Sequence, residues 1–154
     1  MPRKNLLDLN VLIALTDYGH KHHETAWQWF TSGGGDDWGI CPLTESGFIR
    51  LMSSSAMRAE MRARDQGAAI RQSVALLQYL SAYPGFHYWE ITERESWVSV
   101  TAPLADRVTG HQQITDAYLL GLAIAKNGLL VTFDRGLRFL AGDKFAANLL
   151  VLEA

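Results

Sequence analysis

Short apolar runs recur along the chain, separated by stretches in which apolar residues return every three or four positions. These are the two periods that distinguish buried strands from amphipathic helices. The runs predict strands at residues 4–7, 38–41, 86–90, 129–133 and 149–152. Between them, HHETAWQWF sets His23, Trp27 and Phe30 on one helical face, and ESGFIRLM sets Phe48, Leu51 and Met52 on another. AAIRQSVALLQYLSAY carries Ile70, Val74, Leu77 and Leu80 or Tyr79 at helical spacing, and Pro84 with Gly85 stops it. ITDAYLLGLAIA is punctuated at both ends, by Thr115 as N-cap with Asp116 in the first turn and by Asn127 with Gly128. Strands alternating with helices predict a three-layer α/β/α fold around a mostly parallel sheet.

A chain of 154 residues, 48% of them hydrophobic, suits one domain spanning residues 1–154 with a normal core. Gly33, Gly34 and Gly35 make a turn too short to link two domains. The amino-terminal stretch MPRKNLLDLNVLIAL superficially resembles a secretion signal, but Asp8 and Asn10 interrupt it, so it reads as a first strand running into a helix. No segment approaches the roughly 20 apolar residues of a membrane span, so a soluble protein is expected. Cys41 is the only cysteine, which excludes an internal disulfide and sulfur-rich zinc modules and fits a reducing cytoplasm. The net charge of −2 gives no global attraction to nucleic acid, so any such binding needs local patches.

Four acids stand out by position: Asp8 after NLL, Glu45 after ICPLT, Asp116 opening its helix, and Asp134 after LLVTF. Carboxyl ends of parallel strands line one edge of a sheet, where ligands bind, so acids distant in sequence can meet there. Helix capping accounts for Glu45 and Asp116 taken singly, since acids favour the first turn. Asp8 and Asp134 directly end apolar runs, and a carboxylate in such surroundings needs a partner. Convergent carboxylates repel, and a divalent cation relieves that repulsion. All-oxygen ligands favour Mg²⁺ or Mn²⁺.

The local sequences LLDLNVLIAL, CPLTESGFIRLM and ITDAYLLGLAIAKNGLLVTFDRGL, with the HKHHETAWQWF helix between the first two acids, resemble the PIN-domain ribonuclease toxins of VapC type across almost the whole chain. The resemblance implies that Asp8, Glu45, Asp116 and Asp134 hold a catalytic Mg²⁺, with Mn²⁺ as a substitute, for hydrolysis of a phosphodiester in structured RNA such as a tRNA or rRNA loop. It also implies a small antitoxin partner, a homodimeric toxin, and supporting roles for Asn10 and Thr132. A local cap remains the alternative for Asn10 and a purely structural role for Thr132.

Arg58, Arg62 and Arg64, with Arg50 and Arg71 nearby, form the richest basic stretch and are candidates for contacts to RNA phosphates; Glu60 and Asp65 lie among them. His20, His22, His23 and Glu24 suggest a zinc site but lack HExxH and a cysteine partner, so polar residues at a helix start describe them better. His111 reads as a surface residue, and either Trp27 or Trp29 is expected to lie outside the core as a partner contact. Two rival readings share the strand-end acids. An aspartate-based phosphatase or receiver domain would use Asp8 as acceptor, but LLDLNVL lacks the second aspartate of a DxD and no lysine follows a late strand. A binding module would use the acids only as caps.

Overall fold

Leu6 and Leu7 are both fully enclosed, yet they enter different cores, because successive side chains leave opposite faces of a strand. Leu130 and Val131 divide in the same way. The computed structural model describes residues 4–153. It places these pairs on the two central strands of a four-stranded sheet: β1 (Asn5–Leu7), β2 (Trp38–Gly39), β3 (Leu129–Thr132) and β4 (Leu149–Val151). Their order is β2-β1-β3-β4 and every pairing is parallel, with Leu6 opposite Leu130.

Parallel neighbours need crossovers, which are supplied by α1 (Leu9–Thr16), α2 (His23–Thr31), α3 (Pro42–Met52), α4 (Ser55–Glu60), α5 (Gln66–Ser81), α6 (Trp97–Thr101), α7 (Ile114–Ala125) and α8 (Leu137–Ala141). Val11, Leu12, Phe30, Phe48 and Leu77 carry α1, α2, α3 and α5 onto the Leu7 face. Leu119, Leu120, Leu122, Leu137 and Leu140 carry α7 and α8 onto the Leu6 face. The three-layer α/β/α arrangement expected from the alternation is the observed one. Among the described residues, no helix is long and apolar enough to cross a membrane.

Four local expectations are corrected. The strand expected at 86–90 is a single bridge, Trp38 to Phe86, although His87 N–H to the Trp38 carbonyl (2.8 Å) and Trp89 N–H to the Ile40 carbonyl (2.9 Å) run the segment alongside β2. With β2 only two residues long, there is little ladder to extend. In α5 the buried face is Ala69, Ser73, Leu77 and Leu80, while Ile70 is exposed. Small residues thus face inward in the first half of α5, which packs against α3. On α3, Phe48 and Met52 are buried but Leu51 is not. Finally, α7 starts at Ile114, before Thr115, because the Gln113 side chain accepts from the N–H groups of Thr109 (2.7 Å) and Gly110 (3.1 Å) and braces a preceding turn. Its other end is as expected: Asn127 adopts a left-handed φ of 53°, and the Gly128 N–H reaches the Ala123 carbonyl.

Candidate functional site

Adjacent parallel strands open their carboxyl ends at one point, and an aspartate lies just beyond β1 and another beyond β3. Asp8 directly follows β1, and its N–H continues the ladder to the Val131 carbonyl at 2.9 Å. Its carboxylate is 7% exposed. One oxygen caps α1 by accepting from the Leu9 N–H at 2.7 Å, and the other accepts from the Thr132 hydroxyl, also at 2.7 Å. Thr132 Oγ1 in turn accepts from Asn10 Nδ2 at 3.2 Å and from the Asp134 N–H at 3.0 Å. Asn10 Oδ1 accepts from the Phe133 N–H at 3.1 Å. Thr132 therefore touches the acid directly, while Asn10 acts through Thr132 and clasps the start of α1 to the end of β3.

Asp134 is exposed and precedes α8 by three residues. Its Oδ1 accepts from the Gly136 N–H at 2.8 Å and shapes the turn. Asp116 sits half-buried in the first turn of α7, which packs on β3. Burial, followed by the charges of Asp8 and Asp134, pushes its carboxyl up to about 6. Asp8 is also raised, chiefly by burial with a contribution from Asp134, although the hydrogen bonds from Thr132 and Leu9 pull it down. The three aspartates thus share one electrostatic neighbourhood. The ion pairs among the described residues, Lys126–Glu95 and Arg138–Glu153, involve none of them.

Glu45 is held differently. Beyond β2, after Ile40 and Cys41, Pro42 opens α3 and places Glu45 in the first turn, but the carboxylate is turned to Tyr88, whose hydroxyl donates to Oε1 at 3.2 Å. Burial first, then the Glu45 charge, push that phenol up to about 12. Nothing local in the sequence links two residues 43 positions apart, so Tyr88 could not be read as part of the site.

An all-oxygen set with no basic side chain in ion-pair contact fits a hard divalent cation in charge and donor type. Among the described residues, however, no three histidine, cysteine or acidic side chains stand close enough to grip one. Three of the four are instead engaged elsewhere: Asp8 by Thr132 and Leu9, Asp134 by Gly136, and Glu45 by Tyr88.

Two of the clustered histidines pack within the fold. His23 Nδ1 contacts the Ala14 carbonyl at 2.7 Å, and His22 stacks on Phe133 with centroids 4.7 Å apart. His111 is exposed in the turn before α7. Trp27 stacks on Phe30, and Trp29 covers Gly34, so both are partly buried. Arg62 and Arg64 are exposed between α4 and α5, and the side chain of Arg58 lies outside the described residues. They follow α3, whose axis carries the chain about 10 Å from Glu45 to Met52.

Over residues 6–143 the chain matches the PIN domain family. Ribonuclease VapC39 of Mycobacterium tuberculosis is 35% identical over 132 residues, covering 86% of this chain and 89% of that protein. Ribonuclease VapC29 of the same organism is 36% identical over 138 residues, covering 90% and 91%. Among solved structures, VapBC2 from Rickettsia felis bound to a DNA fragment from its promoter aligns with a TM-score of 0.64 at 13% identity, covering 97% of this chain and 98% of that one. At this identity and over this span, the chain belongs to the PIN-domain family, in its VapC branch.

Proposed function

We propose that this chain is a metal-dependent endoribonuclease, the toxin of a toxin–antitoxin pair, acting as one domain on a loop of structured RNA such as a tRNA or rRNA. The observation that carries the reading is that Asp8 and Asp134 follow the adjacent strands β1 and β3 and that, after burial, their two charges push the Asp116 carboxyl up, with no side-chain cation among the described residues in ion-pair contact with any of the three. Its relatives named as ribonucleases support the activity.

In this reading Asp8, Asp116 and Asp134 hold Mg²⁺ or Mn²⁺, with Glu45 as the fourth acid. When bound, such a cation offsets charge on a phosphodiester and makes water a better nucleophile at neutral pH. Thr132 and Asn10 fix the direction of the Asp8 carboxylate, so that its lone pairs stay aimed while the other acids adjust. Asp116, pushed up to about 6 without a cation, is still largely ionised at pH 7 and so available to hold one. Arg58, Arg62 and Arg64 would follow the RNA backbone, contributing affinity without reading bases.

The partners in this reading are a small antitoxin, which would occupy a groove near the acids and suppress cleavage, and a second copy of the chain.

The test is cleavage of a structured RNA by the purified chain with Mg²⁺, with chelator, and with Asp116→Asn. Cleavage in the first case alone is expected. Metal-independent cleavage, or a fully active Asp116→Asn variant, overturns the reading, and hydrolysis only of small phosphate esters points to a phosphatase instead.

A further inference from the structure

Tyr88 belongs to no acidic motif, yet its hydroxyl holds Glu45. It lies on the segment bonded to β2, on the side away from β1, whereas Asp8 and Asp134 follow the central strands β1 and β3. The hydrogen bond therefore draws Glu45 toward the edge of the sheet, while Asp8 and Asp134 lie at its centre. We propose that Tyr88 is a positioning residue that holds Glu45 out of the aspartate cluster in the metal-free protein, so that binding a divalent cation requires Glu45 to leave the phenol. The inference rests on the reading of the four acids as a cation site.

The two partners differ in freedom. Tyr88 is held between two ladder bonds, His87 N–H to Trp38 and Trp89 N–H to Ile40. The segment also approaches β2 so closely that a Cβ on Gly39 would meet the His87 carbonyl at 1.7 Å. The backbone of Tyr88 cannot follow a departing Glu45. Glu45 has three side-chain torsions on a fixed helix turn and can swing between edge and centre.

Electrostatics makes the two positions exclusive. Without a cation, a fourth carboxylate among three uncompensated aspartates meets only repulsion, and the phenol offers a charge-assisted hydrogen bond instead. With a cation at the centre, the sign of that field reverses. Tyr88 thus competes with the ion for Glu45, and the cost of breaking its bond lowers the ion's affinity.

Mn²⁺ binding to the intact chain, measured by calorimetry, tests this with Tyr88→Phe, Glu45→Gln and the double variant, with Asp116→Asn as a separate check on the cation site. Tyr88→Phe is expected to bind Mn²⁺ about three- to tenfold more tightly, the range an ordinary hydrogen bond commands, since exposure to water screens the charge on Glu45. Glu45→Gln is expected to bind more weakly, and adding Tyr88→Phe to it should change nothing further. Unchanged or weaker binding by Tyr88→Phe overturns the proposal, as does a gain that survives Glu45→Gln. Should the phenylalanine variant melt at a lower temperature, Tyr88→Leu must reproduce the gain in affinity, and its failure to do so also overturns the proposal. A wild-type chain that takes up no Mn²⁺, or an Asp116→Asn variant that binds like wild type, overturns the cation site itself and leaves a different signature from failure of the Tyr88 step alone.

Discussion

Asp8 and Asp116 are both aspartates with raised carboxyls, yet their surroundings predict opposite responses to the same substitution. Asp116 has a folded value of about 6 against an ordinary 3.8. The native state therefore holds more protons than the unfolded chain between those values, and metal-free stability from this group falls as pH rises through about 4 to 6. The melting temperature of metal-free Asp116→Asn should exceed that of wild type at pH 7, with the gap closing by pH 4. Asp8 accepts hydrogen bonds on both oxygens, so an amide there would turn a donor toward a donor. Asp8→Asn should lose stability despite losing a repelling charge. Thr132→Val should cost about 1–3 kcal/mol in urea unfolding, because it strips an acceptor from the Asn10 amide and the Asp134 N–H and a donor from Asp8. Thr132→Ser, which keeps the hydroxyl, should recover most of that. The acids were legible because each ends an apolar run or opens a helix. Which of their oxygens were already engaged was not, since Thr132 and Asp8 are 124 positions apart.

At the scale of elements, the crossover pattern was readable because hydrophobic periodicity reports which layer a segment belongs to. The inward face of a helix was less so. Ala69 and Ser73 point inward on α5 and Ile70 outward, a choice that depends on which elements pack around the helix, which no single helix encodes. The segment at 86–90 was read as a strand because it is apolar and aromatic, but its partner β2 ends after two residues. Its attachment hangs on close approach at Gly39. Gly39→Ala should therefore destabilise the protein markedly, since a carbonyl rather than a flexible side chain blocks the added carbon. Gly47→Ala, whose added carbon would meet only the tip of Leu9 at 3.5 Å within α3, should be neutral or stabilising by helix propensity. Thermal melting of the two variants side by side is the check, and similar losses would argue against the packing at β2.

For the molecule as a whole, a cation that binds only the native state should stabilise it by about 2.7 kcal/mol at one hundred times its dissociation constant. A rise in melting temperature with Mg²⁺ and with Mn²⁺, abolished in Asp116→Asn, is the expected result; an identical rise in the variant would place the ion elsewhere. The order of the sheet has a consequence in time. Because β1 lies between β2 and β3, the strand made first acquires its second neighbour only when residues 129–132 have been made. The 124 positions separating Asp8 from Thr132 take roughly 6 to 25 s to synthesise at 5–20 residues per second. Until then the ribosome carries a chain with Asp8 but without the threonine that aims it or the last aspartate of the cluster. On the proposed reading, a PIN domain built in this order would stay inert until residues 132–134 had been made, and a message broken before them would yield a product with no assembled site.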